Sequence, residues 1–230
     1  MGTGRRPWDL VIFDCDGVLI DSEPVHDRIF AEVASALGLT LSPREVAQRF
    51  RGLSMSASAA IIEQLLGRAL PIDFPQEIER RAASVYRSEL RPVPGIFEAL
   101  EQILLPSCVA SSGRMERVES CLRLVGLFER FRGRIFSGQK VERGKPFPDL
   151  FLHAAATLGV APERCVIVED SVFGVQAGVA AGMKVFGYAA DINPTLLAEH
   201  GAHPFSDMRD LPALVHLGGE LPSEPIDTGV

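Results

Sequence analysis

Leu10-Val11-Ile12-Phe13-Asp14-Cys15-Asp16-Gly17-Val18-Leu19-Ile20-Asp21-Ser22-Glu23 is the stretch whose reading decides the fold. Four apolar residues of strand type stop abruptly at two aspartates separated by one residue, and a glycine follows at once. Successive side chains of a strand point to opposite faces, so Asp14 and Asp16 leave the chain end on one side while Cys15 turns to the other. Two carboxylates that close repel each other unless a cation sits between them or one takes a proton. Magnesium suits the first outcome, because a hard cation takes oxygen ligands and commonly combines one or two carboxylates with substrate phosphate. A nucleophile beside a general acid and base suits the second. The plainer reading is an acidic turn capping the next helix, since Asp and Gly are ordinary turn residues.

Outward from this stretch the period changes. Val25, Ile29, Phe30, Val33 and Leu37 recur at helical spacing, and Gly38 closes the run. Ser42-Pro43-Arg44-Glu45 combines an N-cap serine, a proline at the first helical position and a glutamate three residues on, which is a capping box. Two more helices are predicted around 57–66 and 75–90. No strand signal interrupts them, so 25–89 reads as a separable helical unit. From Pro92-Val93-Pro94-Gly95 onward helix and strand alternate: helices at 96–104, 114–124, 149–158 and 172–181, strands at 108–110, 134–136, 165–168 and 184–186. That alternation predicts right-handed crossovers and a parallel sheet covered on both faces, a Rossmann-like α/β core. The strand at 10–14 belongs to the same sheet. The expected organisation is therefore a core of 1–24 and 90–230, with the helical unit inserted after the first strand. Residues 218–230 read as a loose polar tail. Gly174, Gly178 and Gly182 share one helical face, which predicts close packing on the sheet.

Composition narrows the function classes. A chain of 230 residues, 47% hydrophobic and 23% charged, can bury a sizeable core. A net charge of -7 gives no long-range pull toward nucleic acid or anionic membrane, so any phosphate must be held by local positive charge. No stretch approaches the ~20 apolar residues of a membrane span. Cys15, Cys108, Cys121 and Cys165 have no close-spaced pairing and read as reduced core residues of a cytoplasmic protein. A monomer is the default expectation.

In an open parallel sheet, ligands bind outside the carboxyl ends of the strands. Three such ends are polar here: Asp14-x-Asp16, Ser111-Ser112-Gly113 and Glu169-Asp170. Asp170 can complete a cation site with Asp14 and a backbone carbonyl; Glu169, on the alternate face, would act through water or from behind. Ser111, Ser112 and Gly113 precede a helix, where hydroxyl and N–H groups can meet an anion. Lys145 stands between Gly144 and Pro146-Phe147-Pro148, a stiffened loop that can hold an ammonium over the crevice against phosphate charge. The run from Gly138 to Lys145 is one residue too long for a Walker loop, and Pro146 replaces its Ser or Thr.

The segments DCDGVLIDSE, VASSG, GKPFPDLF and VIVEDSVFGVQAGVAAGM, in this order and separation, resemble the four motifs of the haloacid dehalogenase superfamily. The helical insertion resembles the C1 cap of its beta-phosphoglucomutase and sugar-phosphate phosphatase branch. The segments SGQKVERGKP and Tyr188-Ala189-Ala190-Asp191 are similar to those of 6-phosphogluconate phosphatase-type members. The resemblance implies a magnesium-dependent phosphohydrolase acting on a small phosphorylated metabolite. Asp14 would be the nucleophile that becomes an aspartyl phosphate. Asp16 would be the general acid and base, and would also offer its carbonyl to magnesium. Ser111 and Lys145 would hold the phosphoryl group, Asp170 and Glu169 the metal. Glu23, His26, Arg51 and Gly52 would meet the substrate from the cap, with Ser112 and Gly113 from the core. The same motifs serve a phosphomutase, and strand-end aspartates also mark receiver-like phosphoacceptor domains. Dehalogenation fits less well, because it leaves Asp16 without a task.

Overall fold

The computed structural model describes residues 7–50 and 55–218, the side chain of Ser56 excepted. The opening apolar run forms β1 (Leu10–Phe13), all four residues of which are buried. A two-residue strand follows, β2 (Ile20–Asp21), and then four helices: α1 (Glu23–Ala36), α2 (Pro43–Phe50), α3 (Met55–Leu66) and α4 (Phe74–Glu89). The chain returns through β3 (Arg91–Pro92), antiparallel to β2. The alternating part then runs α5 (Ile96–Gln102), β4 (Ser107–Ser111), α6 (Met115–Leu124), α7 (Phe128–Phe131), β5 (Ile135–Ser137), α8 (Asp149–Thr157), β6 (Cys165–Glu169) and α9 (Val172–Ala180). It ends with β7 (Lys184–Tyr188), α10 (Pro194–Glu199), β8 (His203–Phe205) and α11 (Leu211–Leu217).

Six strands form one sheet in the order β5-β4-β1-β6-β7-β8, and every neighbouring pair is parallel. β1 is flanked by β4, with Ile12 opposite Cys108, and by β6, with Ile12 opposite Ile167. Strand alternation sends Leu10 and Ile12 into a buried cluster with Leu150, Phe151 and Ala154 of α8 and Val175 and Ala177 of α9. Phe13, on the other face, meets the edge of Phe131 with ring centroids 6.1 Å apart. Burial on both faces explains why β1 reads as an unbroken apolar run rather than an alternating one. Chain order places β4 and β5 on one side of β1, and β6, β7 and β8 on the other. The order therefore reverses at β1, where such sheets open a crevice.

The chain divides into two compact units, one of residues 1–19, 93–118 and 131–230, the other of 20–92 and 119–130. In the second, Phe30 of α1 packs against Phe50 and Phe74 with ring centroids 4.9 and 5.7 Å away. The capping box forms: the backbone N–H and hydroxyl of Ser42 both donate to Glu45 Oε2, at 2.9 and 2.8 Å, while the Glu45 N–H donates to Ser42 Oγ at 3.2 Å.

Several expectations need correction. β8, α10 and α11 lie where sequence reading assigns nothing, and Gly218 caps α11 in the left-handed region rather than opening a tail. Residues 219–230 lie outside the described residues. All four thiols are free and buried, as expected; burial pushes Cys108 up to about 12 and Cys165 up to about 11, which keeps both protonated. Among the described residues no helix is long and apolar enough to cross a membrane.

Candidate active site

β1, β4 and β6 are adjacent, and their carboxyl ends carry Asp14, Ser111 and Glu169. The Asp14 N–H still donates to Val168 O of β6 at 2.9 Å, so this aspartate sits on the last rung of the ladder. Its residue exposure is 7%, low for a carboxylate. Lys145 compensates it. The Lys145 ammonium donates to Asp14 Oδ1 at 2.6 Å, to Glu169 Oε1 at 2.6 Å and to the Ala110 carbonyl of β4 at 3.3 Å. Three donors thus reach groups at three strand ends, and a further acceptor would have to displace one of them. Sequence reading holds Lys145 over the crevice; its side chain is 7% exposed and lies among the carboxylates there. Burial alone would lower this ammonium, but Asp14 and Glu169 outweigh it and raise its pKa.

Glu169 is held on both oxygens. Its Oε2 accepts from the Ser171 backbone N–H at 2.8 Å and the Ser171 hydroxyl at 2.9 Å. Ser171 Oγ in turn accepts from the Gly174 N–H at 3.1 Å. Ser171 is therefore the N-cap of α9, so that task does not fall to Glu169 or Asp170. Asp170 comes from the same strand end and lies against Gly17: a Cβ built on Gly17 would fall 1.9 Å from Asp170 Oδ2. Gly17 has φ +75, so the turn after Asp16 needs glycine for its backbone as well as for this approach. Gly174 plays a matching part, since its Cβ would fall 1.7 Å from Glu169 Oε1. Of the three glycines read as packing, Gly174 and Gly178 abut sheet side chains, Glu169 in the first case and Val185 and Ile167 in the second, while a Cβ on Gly182 would meet nothing within 4 Å.

Asp14, Glu169 and Asp170 each place a carboxylate oxygen within 4.8 Å of the others. Asp16 stays out of this trio. Its carboxylate is gripped by Arg117 through two parallel hydrogen bonds, Nη1 to Oδ2 at 2.9 Å and Nη2 to Oδ1 at 2.6 Å. Within the group, four carboxylates face the two cations Lys145 and Arg117, which leaves two negative charges over. That surplus, carried by hard oxygen donors, fits one divalent cation of the magnesium type. Without a cation the excess falls on Asp14. Burial pushes its carboxyl up to about 7 against the attraction of Lys145, with Glu169 and Asp16 pushing the same way.

The Ser111 turn is tied down from β5. Ser111 is 1% exposed and its hydroxyl accepts from the Gly113 N–H at 3.1 Å, while Ser137 Oγ donates to the Gly113 carbonyl at 2.6 Å. α6 begins only at Met115, so this turn precedes the helix rather than starting it. Ser112 is exposed beside it. Glu23 and His26 lie in the first turn of α1, in the other unit, where the His26 ring is 6.1 Å from Phe30. Arg51 and Gly52 lie outside the described residues.

The model of the haloacid dehalogenase-like hydrolases matches residues 8–182, a span that begins just before β1 and ends just past α9. The chain is a haloacid dehalogenase-like hydrolase. Over 207 residues the hydrolase is 33% identical to 6-phosphogluconate phosphatase of Escherichia coli K12, covering 90% of this chain and 94% of that one. A haloacid dehalogenase-like protein of Agrobacterium tumefaciens, of unknown function, superposes with a TM-score of 0.84 at 33% identity, over 93% of this chain and 100% of that one. A hydrolase of the same family from Deinococcus radiodurans, solved with bound phosphate and sodium, gives 0.78 at 32% identity, over 95% and 100%.

Four residues of the hydrolase's site escape sequence reading. Arg117 carries a signal, because a cation in the first turn of a helix opposes the macrodipole and calls for another reason. Ser171 carries one too, as the polar residue just before a helix start. Ser137 and Arg143 carry none. Arg143 clamps the lysine loop by two bonds to Asp149, at 3.0 and 2.9 Å.

Proposed function

We propose that the hydrolase is a magnesium-dependent phosphatase that removes the phosphoryl group from a small phosphorylated sugar or sugar acid, through an aspartyl phosphate on Asp14. One observation carries the reading: two aspartates two residues apart are held by different cations, Asp14 buried on Lys145 and Asp16 more open on Arg117. Two carboxylates in two environments can take two roles. Asp14 attacks phosphorus in line, an Asp14–phosphorus bond forms, and the bond to the departing oxygen breaks as Asp16 supplies its proton. Asp16 then takes a proton from water, the resulting hydroxide attacks phosphorus, and Asp14 is released. Lys145 and the Ser111 turn hold the phosphoryl oxygens, with Ser112 and Gly113 beside them. Asp14, Asp170 and the Asp16 carbonyl would hold magnesium, with Glu169 orienting Lys145 and the ion. When bound, magnesium supplies positive charge against the phosphoryl oxygens and keeps Asp14 ionised.

Glu23, just ahead of the helical unit 25–89, and His26, Arg51 and Gly52 within it, are proposed to recognise the substrate. The phosphatase name of the Escherichia coli relative supports a sugar-acid or sugar phosphate. Four free, buried thiols support residence in a reducing cytoplasm. The test is magnesium-dependent hydrolysis of p-nitrophenyl phosphate. Asp14→Asn is expected to abolish it, and Asp16→Asn to impair it and accumulate phosphoenzyme. Normal phosphate release by Asp14→Asn would reject the reading. Incubation with beta-glucose 1-phosphate separates hydrolysis, which frees phosphate, from a mutase, which forms glucose 6-phosphate after priming by a bisphosphate.

A further inference from the structure

Arg117 occupies an awkward place for a structural residue. It sits in the first turn of α6, where its charge opposes the helix dipole, and it reaches back across the Ser111 turn to Asp16. Gly113 makes the room: a Cβ there would fall 2.9 Å from Arg117 Nη1. The pair is part open, with Arg117 29% and Asp16 26% exposed at the side chain, so water and ligand can reach it.

Both oxygens of Asp16 are engaged by this fork. An Asp16 that exchanges a proton with the departing oxygen must turn at least one of them toward the substrate. The N–H groups that bound that oxygen can then take up an acceptor of the substrate in its place. On the phosphatase reading Asp16 serves the departing oxygen, which puts Arg117, one hydrogen bond behind it, on the leaving-group side. Lys145 serves Asp14 and Glu169 and, on the phosphatase reading, the phosphoryl group, so it is not the cation on the side of the leaving sugar. A planar fork that already accommodates one carboxylate fits a second one best.

We infer that Arg117 is a specificity residue that exchanges the Asp16 carboxylate for a carboxylate on the substrate, so that the preferred substrates are phosphorylated sugar acids. This rests on the phosphatase reading given above and narrows its substrate class. The guanidinium holds Asp16 in the empty enzyme and the acid group of the leaving sugar during turnover.

The experiment compares kcat/KM, with magnesium, for 6-phosphogluconate and sorbitol 6-phosphate, which differ at one carbon, in the native enzyme, Arg117→Met and Arg117→Lys. The native enzyme is expected to favour the acid. Arg117→Met is expected to lower the ratio of acid to alditol by about 10- to 100-fold, the worth of one charge-assisted contact, chiefly through KM. Arg117→Lys keeps charge but not the fork and is expected to lie between. Competitive inhibition by gluconate is expected to weaken in the same order. A native enzyme without preference for the acid overturns the inference, as does a ratio unchanged in both variants. A sugar bisphosphate preferred over both substrates overturns it in favour of phosphate. Failure to hydrolyse p-nitrophenyl phosphate instead sinks the phosphatase reading, a result distinct from any change in ratio.

Discussion

Asp14 is uncomfortable until a cation arrives, and that discomfort can be measured. Its folded carboxyl is pushed up to about 7, by burial first, from an ordinary value of 3.8. Between those values the metal-free folded protein holds a proton that the unfolded chain has lost, so stability falls as pH rises through the window. Melting in EDTA is expected to show a downward slope in stability from about pH 4 to pH 7, a slope that Asp14→Asn lacks. Equal slopes in the two proteins would refute the assignment. Gly174 is the second residue-scale test. An alanine there puts a methyl group 1.7 Å from Glu169 Oε1, so Glu169 must leave Lys145 or α9 must shift. Gly174→Ala is expected to lose at least about tenfold in apparent magnesium affinity, the lower end for losing a partner that orients metal ligands. Magnesium titration of the rate reads it, and an unchanged midpoint would show that Glu169 does not orient the site.

At the scale of elements, the capping box is the most self-contained device. Ser42→Ala removes the hydroxyl from both of its bonds and is expected to cost about 1 kcal/mol. A thermal melt checks it; no change would mean that α2 is held by packing of Val46 and Phe50 alone. The elements also show what a sequence can and cannot disclose. β1, β4, β6, α8 and α9 are legible because each carries a run long enough for its period to show and ends at a polar or glycine signal. β2 and β3 have two residues each, too few for any period, and Pro92 argues against a strand. β8 is His203-Pro204-Phe205, an edge strand whose proline hides it in the same way. Asp14, Glu169 and Asp170 are legible as strand-end acids. Arg117 and Ser137 are not, because their roles come from contacts across the fold: Arg117 bridges 101 positions to Asp16, and Ser137 bridges 24 to Gly113. Lys145 is legible as a site residue but not in its burial, since no local pattern reveals that two acids from other strands enclose it.

For the whole molecule, the proposed magnesium site would exist only in the folded state, because folding alone brings Asp14, Glu169 and Asp170 together, with one ammonium between two of them. Magnesium at about 100 times its dissociation constant is expected to add about 2.7 kcal/mol by mass action. In a chain of this length that is roughly 5–10 °C in melting temperature. Differential scanning calorimetry with magnesium against EDTA reads it. Asp170→Asn is expected to lose most of the difference, and a full shift in that variant would place the ion elsewhere.

The strand order has a temporal corollary. Asp14 leaves the ribosome more than a hundred codons ahead of its partners Lys145, Glu169 and Asp170, which arrive with the strand that pairs on the far side of β1. A nascent polypeptide stalled before β6 holds Asp14 and none of the acids that complete the trio. On the proposed mechanism turnover therefore waits until β6 has been made and has paired with β1, and a ribosome-bound fragment that stops short of it is expected to be inert toward the metabolites around it.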